Sequence, residues 1–301
     1  RTIYKDKLAA KKFRAAAKRL NLKGHKAPDK QKLYGPVDIE GHLGHDAAFY
    51  CLDLARLFPP EAPALSFNLH SRSVYFRLLR PEIVRKAHHP LSSDAFTHFG
   101  MIDKDIHNIQ VQEVTESLLS ETLPEFAMLI ERGLLQMRDG VQLCNELHRF
   151  GINVRYLGVL RSLVTDEHSK SILLLEMVAR SVKNQLRGMW RQTMSQIRIA
   201  IEAPFVGVIL NLLNVVLGKE KRESAAFWQK MKDDVMAKFS SKSLSASEKS
   251  AEHDLRSQID MMAFMQRFQQ MTGVTLKALT ADLLHTRKRK LIYTDIASVE
   301  V

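Results

Sequence analysis

The chain has 301 residues, 45% of them hydrophobic and 26% charged, with only 13 Gly and 9 Pro. That is enough apolar material for one large core or two modest ones, and it excludes disorder as the main state. Two cysteines, Cys51 and Cys144, exclude a disulfide framework and a cysteine-type zinc site and fit a reducing compartment, while the net charge of +12 suits polyanionic partners or a solvated surface.

The chain starts with Arg1 and a dense helical pattern, which reads as a piece of a longer protein, and no secretory pattern opens it. Residues 4–22 predict an amphipathic helix: Tyr4, Leu8, Phe13, Ala17 and Leu20 recur at steps of three to five, with Gly24 as the stop. Residues 1–36 carry 12 Lys and Arg against 2 Asp and Glu; residues 37–164 carry 12 against 16, and residues 165–301 carry 21 against 15. The basicity therefore belongs to the flanks. Lys32–Ile39 reads as a short strand and Phe49–Leu57 as a stronger one, joined by Gly41–Asp46 as a hairpin loop and ended by Pro59-Pro60. Val74–Leu79 suits a further strand, and Pro81 opens a short helix through Lys86.

Beyond this point the pattern is helical. Ile106–Leu119 and Pro124–Leu135 are amphipathic. Asp139 caps a helix to Phe150, Gly151 stops it, and Asn153 caps Val154–Val164. Later helices are expected over 167–187, 190–200, 204–217, 221–238 and 252–271, with Phe239–Ser250 as a Ser- and Lys-rich flexible connection. The longest apolar run, Phe205–Leu217, is interrupted by Asn211 and Asn214 and is shorter than the ~20 residues a bilayer needs, so it reads as a buried core helix without membrane insertion. Arg287-Lys288-Arg289-Lys290 suits a phosphate-binding patch or a solvated end. The fold expected is α+β, a small antiparallel sheet in the N-terminal part followed by a predominantly helical region. Residues 1–164 form one domain and 165–301 a second, helical region.

Two segments crowd polar residues. Tyr34–Glu61 holds Asp38, Glu40, His42, His45, Asp46, Asp53 and Arg56. Asp53 lies inside the apolar run Tyr50–Ala55, where an unpaired carboxylate costs several kcal/mol. Arg56, Arg77 and Arg80 are its nearest partners, and a buried Asp–Arg lock is expected. At Leu147–Gly158 a helix–turn–helix corner gathers His148, Asn153 and Arg155. His42, His45 and Asp46, and His88-His89, lack the fixed spacing of a metal site, and neither metal nor cofactor is expected.

The motifs in these segments resemble one family. Asp38-Ile39-Glu40-Gly41-His42-Leu43-Gly44-His45-Asp46, Phe49–Arg56 and Pro59-Pro60-Glu61 resemble the centre of the clustered-mitochondria (CLU) domain. Tyr75–Val84 resembles that family's Y-x-L-R-P-E-L-V element, and His148–Gly158 its H-x-x-G-I-N-x-R-Y-L-G element. Three motifs in order make a specific match over about Leu20–Val164, taken as the later part of the domain. From 165 onward nothing resembles a known family. Ala47-Ala48 departs from the family's Gly-Arg, removing a flexible turn residue and a guanidinium donor.

The resemblance implies a cytoplasmic, non-enzymatic module linked to mitochondrial distribution and messenger-RNA binding. Lys11, Lys12, Arg14, Lys18 and Arg19 would then contact the RNA backbone. One alternative is an atypical phosphotransferase using Asp46 and Asp53 with Mg²⁺. Another is a protein–protein scaffold in which Met261, Met262 and Met265 face a partner, or simply the core. Protein partners are expected, and no small-molecule substrate.

Overall fold

The computed structural model describes residues 6–26, 32–65, 72–99, 103–135, 137–196, 204–277 and 289–299. Two compact units account for them: residues 1–126 with 145–153, and residues 127–144 with 154–301.

The first unit opens with helix α1 (Lys7–Arg19), capped by Asp6, whose carboxylate accepts the Ala9 amide at 2.7 Å. Ala9 and Ala17 face inward, and Lys18 and Arg19 in the last turn complement the helix dipole. The stop is Asn21, at φ 58, and not the expected Gly24. Asn tolerates this left-handed position, and its amide donates to the carbonyls of Val84 and Ala87, both at 2.9 Å. Those carbonyls belong to helix α2 (Pro81–Lys86) and the residue after it.

Strand β1 (His25–Lys26) pairs with β2 (Lys32–Leu33), so the predicted strand over Lys32–Ile39 is only two residues long. Strand β3 (Glu40–Leu43) pairs antiparallel with β4 (Phe49–Leu52), Glu40 opposite Leu52 and Leu43 opposite Phe49. The hairpin was legible, but β4 ends at Leu52, five residues early, because Asp53 turns to φ 56. In the loop, the Ala47 amide donates to the Gly44 carbonyl at 3.2 Å and Gly44 to Ala48 at 2.9 Å. This is a type I turn followed by a left-handed bulge residue, Ala47 at φ 59. The strand predicted over Val74–Leu79 is a 3-10 turn, Ser73–Tyr75, followed by two backbone bonds: Glu61 to the Arg77 carbonyl at 2.8 Å and Leu79 to Pro59 at 2.9 Å. Pro60 has no N–H with which to extend the ladder.

Helix α3 (Lys104–Ser117) runs through a π turn (Leu118–Thr122) into α4 (Leu123–Glu131). Two helices were expected here, with Pro124 opening the second. Pro124 cannot donate to the Ser120 carbonyl, and the wider turn, with the Leu123 amide on the Leu118 carbonyl, accommodates it. Helix α5 (Gly140–Arg149) is capped as predicted: Asp139 accepts the amides of Val141 and Gln142, both at 2.8 Å. Gly151 follows at φ 78, and the Ile152 amide closes on the Leu147 carbonyl at 2.8 Å. Val84, Leu91, Val111, Leu118, Leu123, Phe126, Leu147 and Ile152 fill this unit's core.

The second unit is mainly helical. It holds a 3-10 turn (Val154–Tyr156) and α6 (Leu157–Leu163), α7 (Glu167–Gln196), α8 (Pro204–Val216), α9 (Lys221–Phe239), α10 (Ala246–Lys249) and α11 (Met261–Thr272). Strand β5 (Val274–Leu276) pairs with β6 (Ile296–Val299), a sheet the sequence did not announce. Helix α7 fuses the helices predicted over 167–187 and 190–200, of which 197–200 lie outside the described residues. Gly188 costs a helix only about 1 kcal/mol and does not break it. The helix predicted over 252–271 is instead a 3-10 turn (Leu255–Gln258) and α11, separated by the cap Asp260.

The expected flexible connection, Phe239–Ser250, is built into this unit: Phe239, Ser240, Ser243, Leu244 and Glu248 are buried. Helix α8 is the expected core helix, and its Asn214 exchanges two hydrogen bonds with the Leu291 backbone, at 3.1 and 2.7 Å. Arg287 and Lys288 lie outside the described residues; Arg289 pairs with Asp295 at 2.7 Å and Lys290 with Glu220. Among the described residues no helix is long and apolar enough to cross a membrane.

Candidate functional site

The ionic centre of the first unit is Arg56, buried just beyond the hairpin. Its Nε and a terminal nitrogen donate to both carboxylate oxygens of Asp38, at 2.8 and 2.7 Å. Its other terminal nitrogen donates to Asp94 at 3.3 Å. Asp94 has no exposed side-chain surface; it also accepts the Val37 amide at 2.8 Å and lies 2.8 Å from His25 Nε2. Tyr75 and Phe99 cover the guanidinium, with ring centroids 5.3 and 5.5 Å away. Burial opposes the guanidinium charge, but Asp38 and Asp94 outweigh it and raise the Arg56 pKa.

The predicted Asp–Arg lock therefore exists, with different acids. Asp53, expected as its buried member, is exposed on the far side of the β4 end. Asp94 takes that place. It follows Ser92-Ser93 in what reads as an ordinary loop, and its partners lie 38 and 57 residues away along the chain. No local pattern marks it.

The other predicted residues do not converge on this centre. Asp46 holds the hairpin loop: it accepts the Tyr50 hydroxyl at 2.6 Å and the Ala48 amide at 3.0 Å, and both bonds lower its pKa. His45 is exposed on the same loop, and His42 Nε2 lies 2.9 Å from the Glu40 carboxylate. Asp46 lies in the loop before β4 and Asp53 just after its end, and no cluster of three metal-ligating side chains occurs among the described residues. The geometry therefore gives the phosphotransferase reading no support.

Arg80 forks onto Glu82 at 2.9 and 2.8 Å. Partial burial alone would raise Glu82; this fork, with the nearby His148, lowers it. Against the same helix, Gly151 lies so close to Ile83 that a Cβ there would sit 2.7 Å from the Ile83 Cβ. Asn153 follows at the end of this corner, half-buried. The three motif segments thus meet: Pro59–Glu61 bonds to Arg77–Leu79, and Pro81–Ile83 abuts the corner at His148–Gly151. Arg155, the remaining predicted residue, belongs to the second unit and is half-buried.

Lys11, Lys12, Arg14, Lys18 and Arg19 are all exposed on α1. Among the described residues none of them is in an ion pair; Lys12 Nζ lies 5.2 Å from the centre of the Phe49 ring.

The second unit has two ionic locks that sequence reasoning missed. Arg161 donates to both oxygens of Glu248 at 2.9 and 2.6 Å, to the Ser243 carbonyl at 2.8 Å and to the Lys170 carbonyl at 3.1 Å. Glu176, fully buried, accepts from Arg180 at 2.7 Å and from Arg267 at 2.7 and 2.9 Å, with Cys144 alongside at 3.3 Å. In both, the partners are scattered across the chain.

These features define a class: an α+β unit with interlocked motif segments, joined to a helical unit with its own ion pairs. Residues 135–289 match the family of translation initiation factor eIF3 subunit 135, and residues 1–63 match the clustered mitochondria family. The chain belongs to the translation initiation factor eIF3 subunit 135 family over half its length and to the clustered mitochondria family through a partial domain at its start. Residues 165–289, which resemble no family by their motifs, fall within the first of these matches.

The chain is similar to clustered mitochondria protein homologs of several eukaryotes. It is 28% identical to that of Schizosaccharomyces pombe over 120 residues, 39% of this chain and 10% of the relative. It is 26% identical to that of Neosartorya fischeri over 286 residues, 69% of this chain and 21% of the relative. It is 36% identical to that of Caenorhabditis briggsae over 85 residues, 28% of this chain and 7% of the relative. The chain thus spans between a fourteenth and a fifth of these relatives' lengths. No solved structure matches it.

Proposed function

We propose that the chain is a non-enzymatic binding module of a cytoplasmic protein of the clustered-mitochondria type, which organises mitochondrial distribution and contacts RNA through α1. The observation that carries this reading is the construction of α1. Its inward face is built from small residues, Ala9 and Ala17, while Lys7, Lys11, Arg14 and Lys18, at steps of three and four, form an exposed cationic row. A row of this kind serves phosphates, whose neutralisation releases counterions. The names of the matched families, one mitochondrial and one translational, support it. On α7, exposed Arg187 and Arg191 and half-buried Lys183 make a second such row.

The test is fluorescence anisotropy with a labelled single-stranded oligoribonucleotide over a salt series. Binding should weaken as salt rises, and Lys11→Glu with Lys18→Glu should reduce affinity at least tenfold at low salt. Affinity unchanged by that pair, or absent at the lowest salt, refutes RNA contact through α1.

A further inference from the structure

The first unit contains a cavity of about 340 Å³ between α1 and the β3–β4 hairpin. We infer that this cavity is a binding site for an amphipathic anion, an acyl chain bearing a carboxylate. Its volume falls in the range of roughly 300–1,000 Å³ usual for ligand pockets. Its wall is apolar: Ala9, Phe13 and Ala17 come from α1, and Phe49, Leu54 and Leu57 from the hairpin and the segment after it. Gly41 of β3 admits the Phe13 ring, since a Cβ there would lie 3.1 Å from it.

Charge selects the ligand's head. Among the lining residues Lys12 is the one ionised side chain; the Asp46 carboxylate, outside the lining, is engaged by the Tyr50 hydroxyl at 2.6 Å. The Lys12 ammonium is exposed, without an ion-pair partner among the described residues, and stands over Phe49 at 5.2 Å. A carboxylate in the mouth meets a cation there, whereas a cationic head meets repulsion. The mouth itself is apolar. Tyr50 and Leu54 are each 49% exposed at its edge, and large apolar side chains left half in water mark a surface that something covers. An acyl chain covers them and leaves its head at Lys12. The site is separate from the RNA reading, because the wall and Tyr50 do not belong to the cationic row.

Displacement of anilinonaphthalene sulfonate, an apolar fluorophore with one negative charge, tests it on the whole chain. The probe should bind once per chain with a blue-shifted emission, and dodecanoate should displace it. Dodecanol, the same chain without charge, should displace it at least fivefold less well. Lys12→Met should remove that difference, and Ala16→Trp, which fills the cavity from an exposed α1 position, should abolish binding of both. Thermal unfolding checks that the variants fold. If Ala16→Trp is unfolded, Leu54→Ser serves in its place, because it roughens the wall from an exposed position. Equal displacement by dodecanoate and dodecanol overturns the anion assignment. Binding undiminished in the wall variants overturns the site. Displacement by an acidic amphipathic peptide but not by dodecanoate overturns the acyl ligand. RNA binding is measured in parallel with Lys11→Glu/Lys18→Glu, in which the cavity wall and Lys12 are intact, so either reading can fail without the other.

Discussion

Ala47 sits at φ 59 in the bulge position of the β3–β4 loop, where a side chain pays for a conformation that glycine adopts freely. The Gly that the family pattern places there has a physical reason, and its absence here is a strain rather than a lost contact. Ala47→Gly should raise stability by about 1 kcal/mol in thermal or urea unfolding; a decrease would show that the loop is not strained at this residue. Arg56 is the opposite case. Arg56→Met leaves Asp94 buried beside His25 with its cation gone, and should destabilise the chain by roughly 3–5 kcal/mol. Asp53→Asn, at an exposed position, should change stability by less than about 0.5 kcal/mol. The lock's existence was readable because Arg56 sits among carboxylates in the hairpin segment. Two of its members, Arg56 and Asp38, lie in that segment; the third, Asp94, was not readable. Burial of Asp53 was inferred from apolar neighbours, and a single left-handed residue took it out of the strand. Asp94 reaches the site only through the folded chain.

At the scale of elements, glycines and caps were well marked. Asp139, Pro81 and Gly151 each do what the sequence says, because caps and left-handed turns are decided by nearest neighbours. Gly151→Ala should cost roughly 3 kcal/mol or more: it adds a strained φ and a Cβ 2.8 Å from the Ile83 backbone nitrogen. Differential scanning calorimetry measures it, and an unchanged melting temperature would show that α2 gives way at no cost. Phe239–Ser250 is the instructive miss. Serines and lysines read as a loose tether, yet Ser245 closes a capping box on Glu248, which reaches Arg161. Burial alone would raise the Glu248 pKa; the Arg161 fork and the Ser245 amide lower it to about 2. Its folded pKa is thus below its unfolded value of 4.5. The stabilisation is complete above about pH 5 and lost as pH falls from there towards 2, amounting to about 3 kcal/mol. Urea unfolding across pH 2–6 should show this loss in the native chain and a much flatter profile in Glu248→Gln.

For the whole molecule, the distribution of charge is a property of the sequence itself. Six of the twelve Lys and Arg of residues 1–36 lie in α1. The α+β class was also legible, since the period-two hairpin segment precedes a long run of period-3.6 patterns. The family of the second half was not, because a helical region without Gly- and Pro-rich motifs offers few fixed points. The β5–β6 sheet escaped for a related reason: its two strands are three and four residues long and twenty residues apart. If the α7 row contacts RNA phosphates as well, neutralising Lys183, Arg187 and Arg191 to Ala should lower the slope of log affinity against log salt by about 2 units, at ~0.7 for each phosphate released. An unchanged slope would confine RNA to α1.

The π turn at Leu118–Thr122 has a consequence for descent. A widened turn is what remains when a helix absorbs one inserted residue without unravelling, and Pro124 makes the scar permanent by refusing the ordinary bond to Ser120. Deleting one residue within the turn, together with Pro124→Ala, should restore a uniform helix and leave Phe126 against the Phe150 ring it meets at 5.2 Å. Loss of the extra residue is therefore tied to loss of the proline, which the interior of a regular helix does not accommodate.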